Sequence, residues 1–311
     1  FEVSSELLAR AACVGRTRST GNTEQPAARN ALAVALAPPA RPKAAQRCPY
    51  KRTFKDYYSY MSDNNYSDLE SEMPKAGFES TPHSLQQARE MRQRLHGRKL
   101  KQPQEAVALV KALERDLGVP LHLLHQHFGP YPLFELGSDS NTPLHKKLYQ
   151  LHHHLNELYQ ALCSRVIIDL IGEPCYVQAI PCYRFGLPNN RWVGGFHHDS
   201  DFGHNGWELN AICAFTPAHK TAALQVEKEI GDGNFEPLQL EAGEVVMFDH
   251  IERFHGCVLN QEEHSVASID FRFVPERFAS DAFKHAEHSI NTKTPMIPGG
   301  YFSKEAMVAN T

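Results

Sequence analysis

Of the 311 residues, 41% are hydrophobic and 22% charged, values that exclude collagen-like, wholly disordered and multi-spanning membrane classes. At roughly 150 residues per domain two domains would fit, but β-domains of about 200 to 250 residues are common, so one large domain with appendages fits as well. A net charge of −4 offers no global basic field, so small molecules rather than nucleic acid are the expected partners.

The longest apolar stretch, Ala31 to Ala37, is too short to span a bilayer, so no membrane partner is expected. Seven cysteines without a CxxC pair suggest free thiols in a reducing, intracellular compartment. Residues 1–48 are rich in Ala and Arg, carry Pro38, Pro39 and Pro42, and hold only Glu2, Glu6 and Glu24 as acidic residues. They read as a disordered tail. The same bias suits a plastid or mitochondrial transit peptide and an alanine-rich linker equally, the latter with a cytoplasmic protein. Tyr57 to Glu72 reads as an extended polar segment.

Helix signals begin at Thr81 as N-cap with Pro82 behind it and run to Gly97. A second helix fits Pro103 to Gly118. In the third, Thr142 caps, Pro143 starts, and Leu144, Leu148, Leu151, Leu155, Leu158 and Leu162 recur at three- and four-residue steps towards Ile171. This stripe predicts a helix lying on a sheet rather than a dimer zipper, and a monomer is expected.

From Glu173 onward short runs are punctuated by Gly, Pro and Asn. The candidate strands are Tyr176–Ile180, Trp192–His197, Leu209–Phe215, Ala222–Glu227, Pro237–Leu240, Val245–Asp249, Gly256–Leu259 and Val266–Val274. Without intervening helices they cannot form parallel βαβ units, so an α+β fold is expected, with an antiparallel sandwich or jelly-roll core backed by helices. The expected divisions are 1–48 tail, 49–172 extended segment and helical layer, and 173–311 core.

The segment Phe196 to His204 reads FHHDSDFGH. On a strand ending near Asp199, His197 and Asp199 share one face. A later strand, GEVVMFD at Gly243 to Asp249, is followed by His255 and Gly256, which a rolled sheet could return to the first pair. Two imidazoles and one carboxylate on one face of a metal suit ferrous iron handling oxygen. Further on, Ser268, Asp270 and Arg272 alternate along SIDFR and place a guanidinium where it could hold a carboxylate.

These elements resemble the non-haem Fe(II) and 2-oxoglutarate-dependent dioxygenases, with H-x-D, a distant His and then Arg on a double-stranded β-helix, a cupin-like jelly roll. HHDSD, GEVVMFD, HGCVLN and SIDFR recur in this order in a subgroup similar to the streptomycin-biosynthesis protein G type. The similarity spans roughly Pro181 to Phe302 and includes Arg184 and the PGGYF run; nothing before about residue 140 belongs to it. It implies that His197, Asp199 and His255 bind Fe(II), and that Arg272 pairs with the distal carboxylate of 2-oxoglutarate. It further implies oxidative decarboxylation of that cosubstrate by O2, coupled to C–H oxidation of a small, carboxylate-bearing or amino-acid-derived metabolite in natural product biosynthesis. Hydroxylation, desaturation and oxidative ring closure share the first step.

Other readings compete at single residues. His250 is the rival to His255 as second imidazole. Arg184 suits a carboxylate clamp or a structural ion pair; Asn210 suits a cosubstrate contact or a satisfied core amide. Ser268 shares the Arg272 face and could add a hydroxyl. His198 faces away from His197 in a regular strand and His204 lies in a loop, so both are substrate-contact candidates. Asp201 suits a hydrogen bond that fixes a ligand histidine. His152, His153 and His154 point about 100° apart on a helix and read as solvated or flanking. His122, His125 and His127 have no ligand-type partner at suitable spacing, and Cys175 and Cys182 read as small buried side chains. For the whole chain, the alternatives are a catalytically silent jelly-roll metal-binding protein and a cupin-type metal-dependent hydrolase or isomerase. Arg272 speaks against the latter, which has no need of a deep guanidinium.

Overall fold

The computed structural model describes residues 82–129, 142–191, 195–290 and 292–308. The expected tail (1–48), the segment Tyr57 to Glu72, Thr81 as a cap and the strand residues 192–194 lie outside the described residues.

Helix α1 (His83–Leu95) buries Ala88, Met91 and Leu95 at three- and four-residue spacing. Gly97, at φ +77°, then reverses the chain into β1 (Lys99–Leu100). Helix α2 (Gln104–Leu117) stops where Gly118 adopts φ 72° and donates to Glu114 O. After a 3-10 turn at Leu121–Leu123 comes the short α3 (Leu124–His127). Helix α4 (Pro143–Val166) is capped by the Thr142 side chain, which accepts from His145 N, and runs through a π-helical turn (Ile167–Ile171) to Gly172. The expected stripe is its packing face: Leu144, Leu148, Leu155 and Leu162 are buried and Leu151 and Leu158 half-buried.

Strands follow as β2 (Cys175–Val177), β3 (Cys182–Gly186), β4 (Leu209–Ala214), β5 (Gln225–Glu227), β6 (Phe235–Pro237), β7 (Val245–Phe248), β8 (His255–Gly256) and β9 (Val266–Pro275), and the short helix α5 (Ala279–Lys284) closes the series. Six strands form one sheet in the order β1-β7-β4-β9-β2, with β3 also on β9; β6-β5-β8 form a second. All pairings are antiparallel, so the molecule combines a helical layer with two antiparallel sheets.

Period-two alternation splits the large sheet into two faces. Leu209, Ala211, Cys213, Val245, Met247, Ile269, Phe271 and Phe273 join α1, α2 and α4 in the larger core. Ile212, Ala214, Val246, Phe248 and Val266 instead meet Leu224, Val226, Leu240 and Cys257 from the second sheet and its flanks. That inner face also carries Asn210, Ser268, Asp270 and Arg272, which alternate with the outward-facing residues of β4 and β9.

Several expected boundaries shift. The strand expected to end near Asp199 does not reach it: His197 makes an isolated bridge to His255, and Asp199 opens a 3-10 turn, Asp199–Phe202. The cause is local, because the Asp201 carboxylate accepts from His198 N at 3.1 Å and caps the turn. His152 is buried rather than solvated, with Nδ1 3.2 Å from Tyr183 Oη; one residue of the three must face the sheet, while His153 and His154 stay exposed.

Candidate metal centre

The centre begins with the bridge between residues 197 and 255. His197 N donates to His255 O at 2.9 Å and His255 N donates to His197 O at 3.0 Å, so the two histidines stand directly opposite and project to one side. Gly256 makes this approach possible. A Cβ there would lie 2.9 Å from both Cα and Cγ of Phe196.

Each imidazole is held in one tautomer. Nδ1 of His197 lies 2.8 Å from Gly195 O and Nδ1 of His255 2.9 Å from Arg253 O. A carbonyl only accepts, so Nδ1 carries the hydrogen and Nε2 presents a lone pair. The two Nε2 atoms stand 3.3 and 3.2 Å from Asp199 Oδ1. Donor atoms of all three residues lie within 4.8 Å of one another. Among the described residues no other group of three or more His, Cys, Asp or Glu converges in this way.

Asp199 is fastened from behind. Arg272 Nη2 donates to its Oδ2 at 2.5 Å, and His250 O accepts from its backbone N–H at 3.0 Å. Burial alone would raise the Asp199 carboxyl, but the Arg272 guanidinium holds it well below the usual carboxylate range. Arg272 Nη1 also reaches Asp270 Oδ2 at 3.0 Å, Gln178 Oε1 at 3.4 Å and Tyr301 Oη at 3.5 Å. Asp270 in turn accepts from Arg184 Nε at 2.7 Å and Nη2 at 3.4 Å. Against its own burial, Arg184 and Arg272 keep Asp270 ionised.

A cleft opens on the three donors, lined by Arg184, Ile212, Leu224, Phe248, Ser268, Asp270 and Arg272. Apolar walls and a few converging polar groups are features of a small-molecule site.

The structure brings His197, Asp199, His255, Arg272, Ser268 and Arg184 to this cleft. The other candidates stand apart from its lining. His198 lies against Phe254, ring centroids 5.0 Å apart. His204 is half-buried and paired with Glu208, Nδ1 to Oε2 2.6 Å. Asn210 is buried with neither side-chain polar atom partnered. His250 contributes its carbonyl, not its ring, whose nitrogens are buried without partners and whose pKa burial drives well below the ordinary value. Asp270 escaped selection from sequence although its alternation with Ser268 and Arg272 signalled the same face. Gln178, Tyr301 and Leu224 carried no local signal.

Streptomycin biosynthesis protein StrG of Streptomyces griseus is 35% identical over 165 residues, 53% of this chain and 77% of that protein. The chain belongs to the StrG family. This is the subgroup that the HHDSD, GEVVMFD, HGCVLN and SIDFR elements of the sequence resemble. A scan against protein-family models finds no match. Among solved structures, the non-haem alpha-ketoglutarate-dependent carbocyclase SnoK from nogalamycin biosynthesis is 13% identical, covering 63% of this chain and 85% of its own at a TM-score of 0.38. EctD from S. alaskensis is 16% identical, covering 75% and 88% at 0.40. CytC3, solved with Fe(II) and alpha-ketoglutarate, is 16% identical, covering 64% and 79% at 0.37. Scores below 0.5 carry neither fold nor function across to this StrG-family chain.

Proposed function

We propose that the chain is a non-haem iron oxygenase that couples oxidative decarboxylation of 2-oxoglutarate to C–H oxidation of a small, carboxylate-bearing metabolite in specialised metabolism. The observation that carries this reading is the convergence of two tautomer-fixed Nε2 atoms on Asp199 Oδ1, at 3.3 and 3.2 Å, beside a cleft holding two arginines. His197, Asp199 and His255 fit a divalent ion as two neutral imidazoles and one carboxylate that remains ionised despite its burial, and they leave the cleft side open. The two sheets facing across one core fit a double-stranded β-helix from about Glu173 onward, with the helices of the preceding segment packed on its outer face.

Iron held there, with 2-oxoglutarate and O2, supplies an oxidant able to remove hydrogen from an unactivated C–H bond while the keto acid becomes succinate and carbon dioxide. The chain's own residues place and shield that chemistry. His197 and His255 hold their lone pairs in fixed directions, and Arg272 keeps Asp199 anionic. Ile212, Leu224 and Phe248 line the cleft with apolar surface that disfavours water. Arg184 and Ser268 offer donors to a carboxylate entering it. Formal charges of Arg184, Arg272, Asp199 and Asp270 cancel, so a divalent metal is balanced by a dianion such as 2-oxoglutarate. StrG is a streptomycin biosynthesis protein, which favours a natural product as substrate.

Anaerobic addition of Fe(II) and then 2-oxoglutarate tests the reading. A weak visible charge-transfer band in wild type, absent in His255→Ala, is the expected result. Bound iron without the band points instead to a silent metal-binding protein or a cupin-type hydrolase or isomerase.

A further inference from the structure

Arg253 O, which fixes the His255 tautomer, belongs to a segment gripped by Glu227 at the end of β5. Glu227 is 4% exposed. Its backbone N–H donates to Phe254 O at 2.9 Å, its carbonyl accepts from Arg253 Nη1 at 2.9 Å, and its Oε2 accepts from Phe254 N at 3.4 Å. The next carbonyl, Lys228 O, also accepts from Arg253 Nη1. The ladder then continues with Val226 opposite His255.

The other carboxylate oxygen ties in the turn between β5 and β6. Oε1 accepts from Gly233 N at 2.9 Å, and Lys228 N donates to Asn234 O at 2.7 Å. That turn delivers Phe235, whose ring meets Phe196 edge-on with centroids 4.6 Å apart; Phe196 also stacks on Phe254 at 6.0 Å. Phe196 is the chain neighbour of His197 and of Gly195, whose carbonyl fixes the His197 tautomer. One buried carboxylate thus joins the two imidazole-bearing segments from behind, without lining the cleft. Both groups on it are N–H donors, so an amide of the same shape fails: its oxygen serves one of them and its NH2 meets the other.

We infer that Glu227 is a positioning residue of the metal centre: it holds Arg253 and Phe254 so that His255 presents Nε2 in a fixed direction, and through Phe235 and Phe196 it backs His197. This rests on the metal-binding part of the reading above. Groups that orient ligand histidines commonly carry about 10- to 100-fold in metal affinity. Glu227 lies on the second sheet, outside every motif that marks the triad, so its part in the centre arises from the pairing of β5 with β8.

The test separates positioning from general stability on the full chain. Fe(II) affinity is measured anaerobically, and the visible d–d spectrum at saturating Co(II) reports the geometry of the bound ion. The control is Thr216→Val, which removes a buried acceptor from Ala267 N and stands outside the cleft lining. Glu227→Gln should weaken Fe(II) binding by about tenfold or more and change the Co(II) spectrum. Thr216→Val should lower the urea midpoint comparably, yet keep the wild-type spectrum and an Fe(II) affinity within about twofold of wild type. Should Glu227→Gln not fold, Arg253→Met removes the guanidinium grip while a carbonyl remains at 253, and should weaken Fe(II) by about threefold or more with the same spectral change. Wild-type affinity and spectrum in Glu227→Gln, or in Arg253→Met where that variant stands in, overturn the assignment. Equal metal loss in Thr216→Val overturns it too, by making the effect one of stability. Wild type that binds neither ion overturns the metal-centre reading itself, before any variant is compared.

Discussion

A Cβ on Gly256 would lie 2.9 Å from Cα of Phe196. The HG pair therefore couples a candidate metal-donor histidine to a glycine that lets the opposing segment approach it. Because backbone as well as ring is in the way, a side-chain rotation cannot relieve the clash. Gly256→Ala should displace Phe196 and His197 together and weaken Fe(II) binding by about tenfold or more, as loss of ligand-orienting contacts commonly does. Anaerobic metal titration, with circular dichroism to check the fold, decides it.

Metal binding should also stabilise the fold, because it draws together a 3-10 turn, an isolated bridge residue and the start of β8. At a free metal concentration of about 100 times Kd the gain is about 2.7 kcal/mol. Thermal unfolding with and without Mn(II) as a redox-inert surrogate should show the rise in wild type. His255→Ala and Asp199→Asn should melt at the same temperature in both conditions.

Arg92 lies on α1, outside the part of the chain that carries the motifs, yet its Nε sits 3.0 Å from Asp249 Oδ1 with both side chains buried. Its Nη1 donates to Gly206 O. Asp249 Oδ1 also accepts from Ile251 N and Glu252 N, both at 3.3 Å, and so shapes the turn leading to His255. Arg92→Met should cost about 3 to 5 kcal/mol, because it leaves a buried carboxylate without its ion-pair partner. Arg89→Ala, which breaks a largely exposed pair with Glu252, should cost no more than about 1 kcal/mol. Urea unfolding of the two variants checks the contrast.

Burial, and then the nearby Arg184 charge, pull the His145 pKa down from 6.5 to about 4. Between those values the unfolded chain binds more protons than the folded one, so this contribution is fully present above pH 6.5 and lost as pH falls towards 4. From pH 7 to pH 5 the loss should be about 2 kcal/mol. His145→Gln should remove that part of the acid sensitivity, read as a smaller shift in urea midpoint between the two pH values. An unchanged shift would count against His145 as the source.

The sequence by itself determined the helices, the inner and outer faces of the strands and the motif residues that line the cleft. Caps and stops act within a few residues, as at Thr142, Gly118 and Gly172, and alternation along SIDFR assigns a face without knowledge of neighbours. Tertiary structure decided which groups touch. Asp199 leaves the strand because Asp201 caps a turn, and His255 rather than His250 presents a ring because its backbone pairs with His197. Arg272 on β9 grips Asp199 in a turn far away in the chain, and Arg92 reaches Asp249 from the helical layer. Such contacts depend on sheet order and on side chains far apart in the chain, and local periodicity carries no information about either.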